Sequence, residues 1–136
     1  GGPRYMIQNY QNAMSICNWA GYPDLFLTFT CNSMWPEISR FVRQKNLHPA
    51  DCPQLLSRVF NIKVEHLLKD LRERCIFGKS RAVVRTIEFQ KRGLPHVHIL
   101  LFLCHENKII TPSDVNKVVS AEIPDKVAYP RLHETV

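Results

Sequence analysis

The sequence predicts an α+β fold in which helices cover a mainly antiparallel sheet. One observation is the spacing of apolar residues. Short segments either alternate apolar and polar residues or stay apolar for several positions, as strands do, and longer segments repeat apolar residues every three to four positions, as helices do. The other is order, which runs helix, strand, long helix, β-hairpin, helix. A long helix that joins one strand to a hairpin is typical of a split βαβ or ferredoxin-like core.

The first helix is expected from about Tyr5 to Trp19, because its apolar residues have helical spacing and Gly21 and Pro23 follow. The first strand is expected over 24–32, with the sequence DLFLTFTCN. Side chains alternate between the two faces of a strand. One face therefore carries Leu25, Leu27, Phe29 and Cys31, and the other carries Phe26, Thr28, Thr30 and Asn32.

The segment 33–50 has no firm period, although Trp35-Pro36-Glu37 is typical of the start of a short helix. The longest helix is expected from Asp51 to Phe77, with Asp51 as its N-cap and Gly78 as its stop. Its apolar stripe consists of Leu56, Phe60, Val64, Leu67, Leu71 and Cys75.

Two further strands, Arg81–Gln90 and His96–Leu103, are expected to form a hairpin, because Gly93 and Pro95 mark a turn between them. A helix capped by Thr111 is expected to reach about Ser120. The tail from Ile123 is interrupted by prolines and is expected to be irregular.

The hairpin carries the residues that point to chemistry. His96 and His98 lie on one face of their strand, and Val97 points into the core. A turn centred near Gly93 would place Glu88 opposite His98 and Gln90 opposite His96. Two imidazoles, a carboxylate and an amide on one face suit a divalent metal with open positions for substrate. The alternative is that the histidines simply form the solvent side of an amphipathic strand.

Bulk properties narrow the function classes. A chain of 136 residues is expected to form one domain, residues 1–136, or part of one, and its net charge of +6 favours a polyanionic partner such as nucleic acid. No apolar run is long enough to span a membrane, and no signal peptide is expected. The absence of an initiator Met suggests a fragment of a longer polypeptide.

The five scattered cysteines form no Cys-x-x-Cys pair, which argues against a zinc knuckle and favours a reducing compartment, cytosol or nucleus. Cys31 and Cys104 are expected to be buried as small apolar residues. The sequence also has no hydrolase triad and no Gly-rich phosphate loop.

Five motifs stand out along the chain: RYMIQNYQNAM at 4–14, FLTFTCN at 26–32, WPEI at 35–38, EFQKRGLPHVH at 88–98 and AEIPD at 121–125. Together they closely resemble the N-terminal replication-initiator domain of Helitron transposon proteins. The resemblance therefore covers nearly the whole chain.

That family belongs to the His-hydrophobic-His nucleases, which nick single-stranded DNA for rolling-circle transposition. The resemblance implies a nuclear protein with a ferredoxin-like nuclease core, incomplete in this chain. It implies that His96 and His98 hold Mg²⁺ or Mn²⁺ with a third ligand, either Glu88 or Gln90 or both. It also implies that a tyrosine attacks phosphorus to give a 5′-phosphotyrosine and a free 3′-hydroxyl.

The chain departs from the family where the nucleophile should be. The family places two tyrosines on a helix well after the histidines, whereas only Tyr129 follows His98 here, in the Pro-broken segment Ala128-Tyr129-Pro130. We therefore expect the nucleophile to lie outside this chain and the chain alone not to cleave. The parent polypeptide is expected to carry a helicase domain as well.

Candidate contacts to single-stranded DNA surround the hairpin, but each has a structural alternative. Basic side chains in and beside the turn could contact phosphates, or they could simply be solvated. Aromatic rings could stack on bases or pack in the core. Hydroxyl groups could line the metal face or form hydrogen bonds within the sheet. The basic candidates are Arg85, Lys91 and Arg92, with Arg81 nearby; the aromatic ones are Trp35 and Phe26; the hydroxyls are Thr28 and Thr30.

Two rival functions stay open. The chain could be a non-catalytic single-stranded nucleic-acid-binding module derived from the nuclease. It could instead be a metal-independent scaffold piece that binds partners within a larger protein. A core that lacks strands could also expose a sheet edge and form a homodimer through it.

Overall fold

The computed structural model describes residues 2–89, 94–119 and 122–135. Within these ranges the chain forms three strands and five α-helices, with 3₁₀ turns at Pro49–Asp51 and His105–Asn107. In chain order the elements are α1 (Pro3–Ala20), β1 (Leu25–Thr30), α2 (Pro36–Lys45), α3 (Pro53–Arg72), β2 (Ser80–Phe89), β3 (Pro95–Leu103), α4 (Pro112–Val118) and α5 (Pro130–His133).

The three strands form one sheet in the order β1-β3-β2, and both outer strands run antiparallel to β3. β1 and β2 are consequently parallel to each other, with β3 inserted between them and α3 in the connection that joins them. This is the split βαβ arrangement. The predicted α+β class with a mainly antiparallel sheet is confirmed.

One face of the sheet packs against α2 and α3 and forms the core. Val97, Ile99 and Leu101 of β3 are completely buried in it. Burying each such side chain contributes about 1.5–3 kcal/mol. A slip of one residue in the pairing would bury the histidines and expose these three side chains, so the core determines which face His96 and His98 occupy.

Helix α3 supplies the other half of the core, and it differs from the prediction at both of its ends and in its apolar stripe. It ends at Arg72, earlier than predicted, and Leu68 rather than Leu67 is the fully buried residue at that level of the stripe. Asp51 does not cap it. The Asp51 carboxylate instead accepts a hydrogen bond of 3.0 Å from the backbone N–H of His48, which closes the preceding 3₁₀ turn.

The chain after α3 turns through left-handed backbone before β2. Cys75 has a φ of 52° and Gly78 a φ of 101°. A Cβ at Gly78 would lie 2.8 Å from the Cβ of Asn107, so the close approach of Asn107 requires glycine there. The Asn107 side chain accepts a hydrogen bond from the backbone N–H of Lys79, which fixes the start of β2.

The end of the sheet remote from the histidines is tied together by side chains. The Asp24 carboxylate accepts hydrogen bonds from the backbone N–H of Leu103, at 2.8 Å, and from Lys108 Nζ, at 3.1 Å. The Arg81 guanidinium lies 4.5 Å from the ring of Trp19, which anchors the end of α1 beside β2.

The C-terminal elements agree with the sequence in part. Thr111 caps α4 as predicted, since its hydroxyl accepts a hydrogen bond from the backbone N–H of Asp114. The tail predicted to be irregular contains the short helix α5. Helix α4 ends at Val118; Ser120, its predicted end, lies outside the described residues.

Candidate metal and nucleic-acid site

His96, His98 and Glu88 lie on the sheet face opposite the core, as the alternation predicts. The pairing within the hairpin differs from the prediction, because Glu88 pairs with His96 and Thr86 pairs with His98. The pair nearest the turn among the described residues is Phe89 with Pro95, and the whole register differs from the predicted one by two residues. A difference of two residues keeps every side chain on its predicted face.

Glu88 nevertheless contacts the histidine that it does not pair with. Its Oε2 atom lies 3.3 Å from Nε2 of His98. The Glu88 side chain is 63% exposed and that of His98 is 32% exposed, so the contact lies at the open surface of the sheet. One carboxylate is therefore a direct cross-strand neighbour of His96 and a hydrogen-bond partner of His98.

The inner nitrogen of each imidazole is held by a threonine of β1. Thr28 Oγ1 lies 3.1 Å from Nδ1 of His98, and Thr30 Oγ1 lies 2.9 Å from Nδ1 of His96. Both contacts arise because β1 lies beside β3 in a register that pairs Thr28 with His98 and Thr30 with His96. With both Nδ1 atoms engaged by threonines, Nε2 is the remaining ring nitrogen of each histidine, and that of His98 contacts Glu88.

Phe26 adds an aromatic surface next to His98. The two rings are stacked, with centroids 5.5 Å apart and planes inclined by 10°. Phe26 is 64% exposed, so much of its ring remains open to solvent. The sequence left Phe26 open between core and surface; the structure places it on the surface, beside the histidines.

The donor set fits a divalent metal in its chemistry, although the ligands are not gathered around one point. Imidazole nitrogens with a carboxylate suit borderline and hard divalent ions. Among the described residues, no three His, Cys, Asp or Glu side chains are already arranged to hold an ion. Glu88 would have to leave Nε2 of His98 for that nitrogen to bind metal. Gln90, the rival third ligand, lies outside the described residues.

Two of the predicted DNA contacts lie on the helical side of the sheet. The Trp35 ring stacks on Phe29 with centroids 5.8 Å apart and lies 4.9 Å from Lys63 Nζ. Lys63 also donates a hydrogen bond to Glu37, which lowers the pKa of that carboxyl. These contacts hold Trp35 against the core, away from His96 and His98.

Arg85 is also on the helical side, since its Nη1 atom lies 2.7 Å from Oε1 of Glu65 on α3. The predictions that Trp35 and Arg85 bind DNA stay predictions, but neither side chain shares the histidine face. Lys91 and Arg92 lie outside the described residues.

The cysteines and Tyr129 add no further donor to this face. All five cysteines are free. Burial raises the pKa of Cys31, which favours the neutral thiol and fits the apolar role predicted for it. Cys104 is half-buried rather than buried. Tyr129 is exposed and directly precedes α5.

Comparison with known families finds a match over most of the chain. A family model described as the Helitron helicase-like domain at the N-terminus matches residues 1–101. The chain belongs to this Helitron family. The match spans β1, α3, β2 and the histidine motif on β3, so the resemblance to Helitron proteins is confirmed over residues 1–101, whereas the motif at 121–125 lies outside the match. No curated protein matches the chain.

The Helitron family description concerns a helicase-like domain and names no ligand. Along the parts of the chain that the structure describes, no helix has the length and apolar character needed to cross a membrane.

Proposed function

We propose that this chain is the metal-binding part of a Helitron rolling-circle initiator. In this proposal it belongs to a His-hydrophobic-His nuclease that nicks and rejoins single-stranded DNA through a phosphotyrosine intermediate. The observation that carries the proposal is the pair of histidines on one open sheet face, each with Nδ1 on a threonine hydroxyl and with the Glu88 carboxylate at Nε2 of His98.

His96 and His98 would hold Mg²⁺ or Mn²⁺ through Nε2, with Glu88, Gln90 or both as further ligands. The metal would polarise the scissile phosphate and stabilise charge in the transition state. The chain's own residues bind and orient: the threonine hydroxyls fix the imidazoles, and the exposed ring of Phe26 offers a base a stacking surface next to them. The tyrosine that attacks phosphorus would be supplied by another part of the parent protein.

The remaining parts of the proposal concern partners and location. The net charge of +6 supports single-stranded DNA as the partner. The Helitron assignment supports a parent polypeptide that also carries a helicase domain and works in the nucleus. In the described sheet β1 and β2 each pair on one side only, which supports a homodimer formed through one of these edges.

Calorimetric titration with Mn²⁺ tests the proposed metal site. We expect the chain without substitutions, called the parent chain in each experiment, to bind Mn²⁺. The variant His96→Ala/His98→Ala should lose binding while keeping its fold, because both substituted side chains lie on the open face. The matched control is His66→Ala/His105→Ala, which removes two exposed histidines outside the sheet. Equal Mn²⁺ affinity in the parent and both double variants would contradict the proposal.

A second candidate is a non-catalytic single-stranded nucleic-acid-binding module derived from the same domain. It is favoured by the absence, among the described residues, of three ligands already arranged around one point, and by the exposed stack of Phe26 on His98. This candidate predicts that the parent binds single-stranded oligonucleotide equally well with Mn²⁺ and with excess chelator. The metal-site proposal predicts tighter binding with Mn²⁺.

A further inference from the structure

We infer that Thr28 and Thr30 are positioning residues that direct Nε2 of His98 and His96 towards the metal. This inference rests on the proposed function. It starts from two cross-strand hydrogen bonds, Thr28 Oγ1 to His98 Nδ1 at 3.1 Å and Thr30 Oγ1 to His96 Nδ1 at 2.9 Å. The same relationship occurs twice, two residues apart on both strands, because the β1–β3 register pairs each threonine with its histidine.

A neutral imidazole binds metal only through the nitrogen that carries no proton. A hydroxyl that accepts a hydrogen bond from Nδ1–H keeps the proton on Nδ1 and leaves the lone pair of Nε2 free. Partners of this kind, which hold the second ring nitrogen, fix the tautomer and the orientation of metal-binding histidines. Thr28 and Thr30 therefore occupy the place of such partners for His98 and His96.

His98 shows why the partner is a hydroxyl. An ionised carboxylate only accepts hydrogen bonds, so the contact between Glu88 Oε2 and His98 Nε2 places the proton of a neutral ring on Nε2. Nδ1 is then the acceptor, and the Thr28 hydroxyl donates to it. When Nε2 binds metal, the ring proton must reside on Nδ1, and the same hydroxyl accepts from it.

A hydroxyl both donates and accepts, so it satisfies both tautomers without moving. A backbone carbonyl or a carboxylate could satisfy only the metal-bound one. The ring keeps one proton in either arrangement. Thr28 thus lets His98 exchange its contact with Glu88 for a metal without leaving Nδ1 unpaired.

The first test compares Mn²⁺ affinities by calorimetry. Thr28→Val and Thr30→Val keep the side-chain shape but remove the hydroxyl, and each should lower the affinity roughly 10- to 100-fold. Thr28→Ser and Thr30→Ser restore a hydroxyl and should bind nearly as well as the parent. Thr86→Val is the matched control: Thr86 pairs with His98 from the other side, and in the described structure it makes no hydrogen bond to either histidine.

The second test uses the parent chain alone and does not depend on the variants folding. Nitrogen-15 chemical shifts of the His98 ring should show the proton on Nε2 without metal. With Zn²⁺ as a diamagnetic probe they should show it on Nδ1, with Nε2 coordinated. Coordination through Nδ1 would overturn the inference, as would unchanged Mn²⁺ affinity in both valine variants while the parent binds normally. If the parent binds no metal, the proposed function itself fails, and the inference fails with it.

Discussion

Glu88 pairs across the sheet with His96, yet its carboxylate lies 3.3 Å from Nε2 of His98. Side chains directly opposite each other on antiparallel strands have Cβ atoms about 4.5–5.5 Å apart, and diagonal neighbours are within reach of long side chains. Glu88 therefore has one histidine as its direct neighbour and bonds to the other. The carboxylate is therefore close to both histidines of the proposed metal site.

Glu88→Ala should weaken Mn²⁺ binding, because it removes the one described carboxylate in contact with a histidine of the motif. Gln90→Ala should weaken it less, since a neutral amide oxygen attracts a divalent cation less strongly than a carboxylate. Calorimetry measures both affinities. Glu65→Ala is the control, because Glu65 lies on α3 and pairs with Arg85 on the helical side. A larger loss in Gln90→Ala than in Glu88→Ala would assign the third ligand to Gln90.

The faces of the strands could be predicted from the sequence, whereas their pairing could not. Alternation alone places His96 and His98 on one side of β3 and Val97 on the other, since every second residue must enter the core. The register depends on how many residues the hairpin connection takes up. Gly93 and Pro95 indicate that a turn exists but do not fix its centre, which is why Glu88 was predicted opposite His98.

Predicting the threonine contacts requires the order of the strands as well as their faces. Thr28 and Thr30 were predicted to line the histidine face if the first strand lay beside the His96 strand, and it does. Their pairing with particular ring nitrogens depends on the β1–β3 register, which joins residues far apart in sequence. The position of Trp35 could not be predicted from the sequence. Its contact with Phe29 depends on how α2 packs, and no local pattern determines that packing.

The pH dependence of the α4 cap follows from Asp114. The Thr111 hydroxyl and backbone N–H, with Lys117, hold the pKa of Asp114 at about 2, below its ordinary value of 3.8. Because the folded pKa is lowered, the cap contributes stability above pH 3.8 and loses it as the pH falls through about 2. Carbon-13 titration of the carboxyl should give a midpoint near 2, and Thr111→Val should raise it. A midpoint of 3.8 in the parent would contradict this.

Asp24→Ala should destabilise the fold by about 1–3 kcal/mol, because the buried backbone N–H of Leu103 would lose its acceptor. The Asp24 side chain is only 6% exposed, whereas its ion-pair partner Lys108 is 30% exposed. Urea unfolding measures the change. Asp70→Ala is the control: its partner Arg74 is largely exposed, and such surface pairs contribute at most about 1 kcal/mol. Equal losses in the two variants would show that Asp24 does not anchor the sheet.

Phe26→Ala should weaken binding of a single-stranded oligothymidine without unfolding the chain. The ring is 64% exposed, so little core packing is lost, and it lies beside the proposed metal ligands. Stacking of a base on an aromatic side chain contributes about 1–3 kcal/mol. Fluorescence anisotropy of a labelled oligonucleotide measures the affinity, at a fixed salt concentration because phosphate contacts are salt-dependent.

Phe89→Ala is the matched control for Phe26→Ala. Phe89 is 61% exposed, nearly the same as Phe26, but the alternation of β2 places it on the side opposite Glu88. Its removal should leave the DNA affinity close to that of the parent. If both variants lose the same affinity, the loss comes from removing exposed aromatic surface in general and not from a specific stacking site at Phe26. If only Phe89→Ala loses it, DNA binds the helical side, where Trp35 and Arg85 lie.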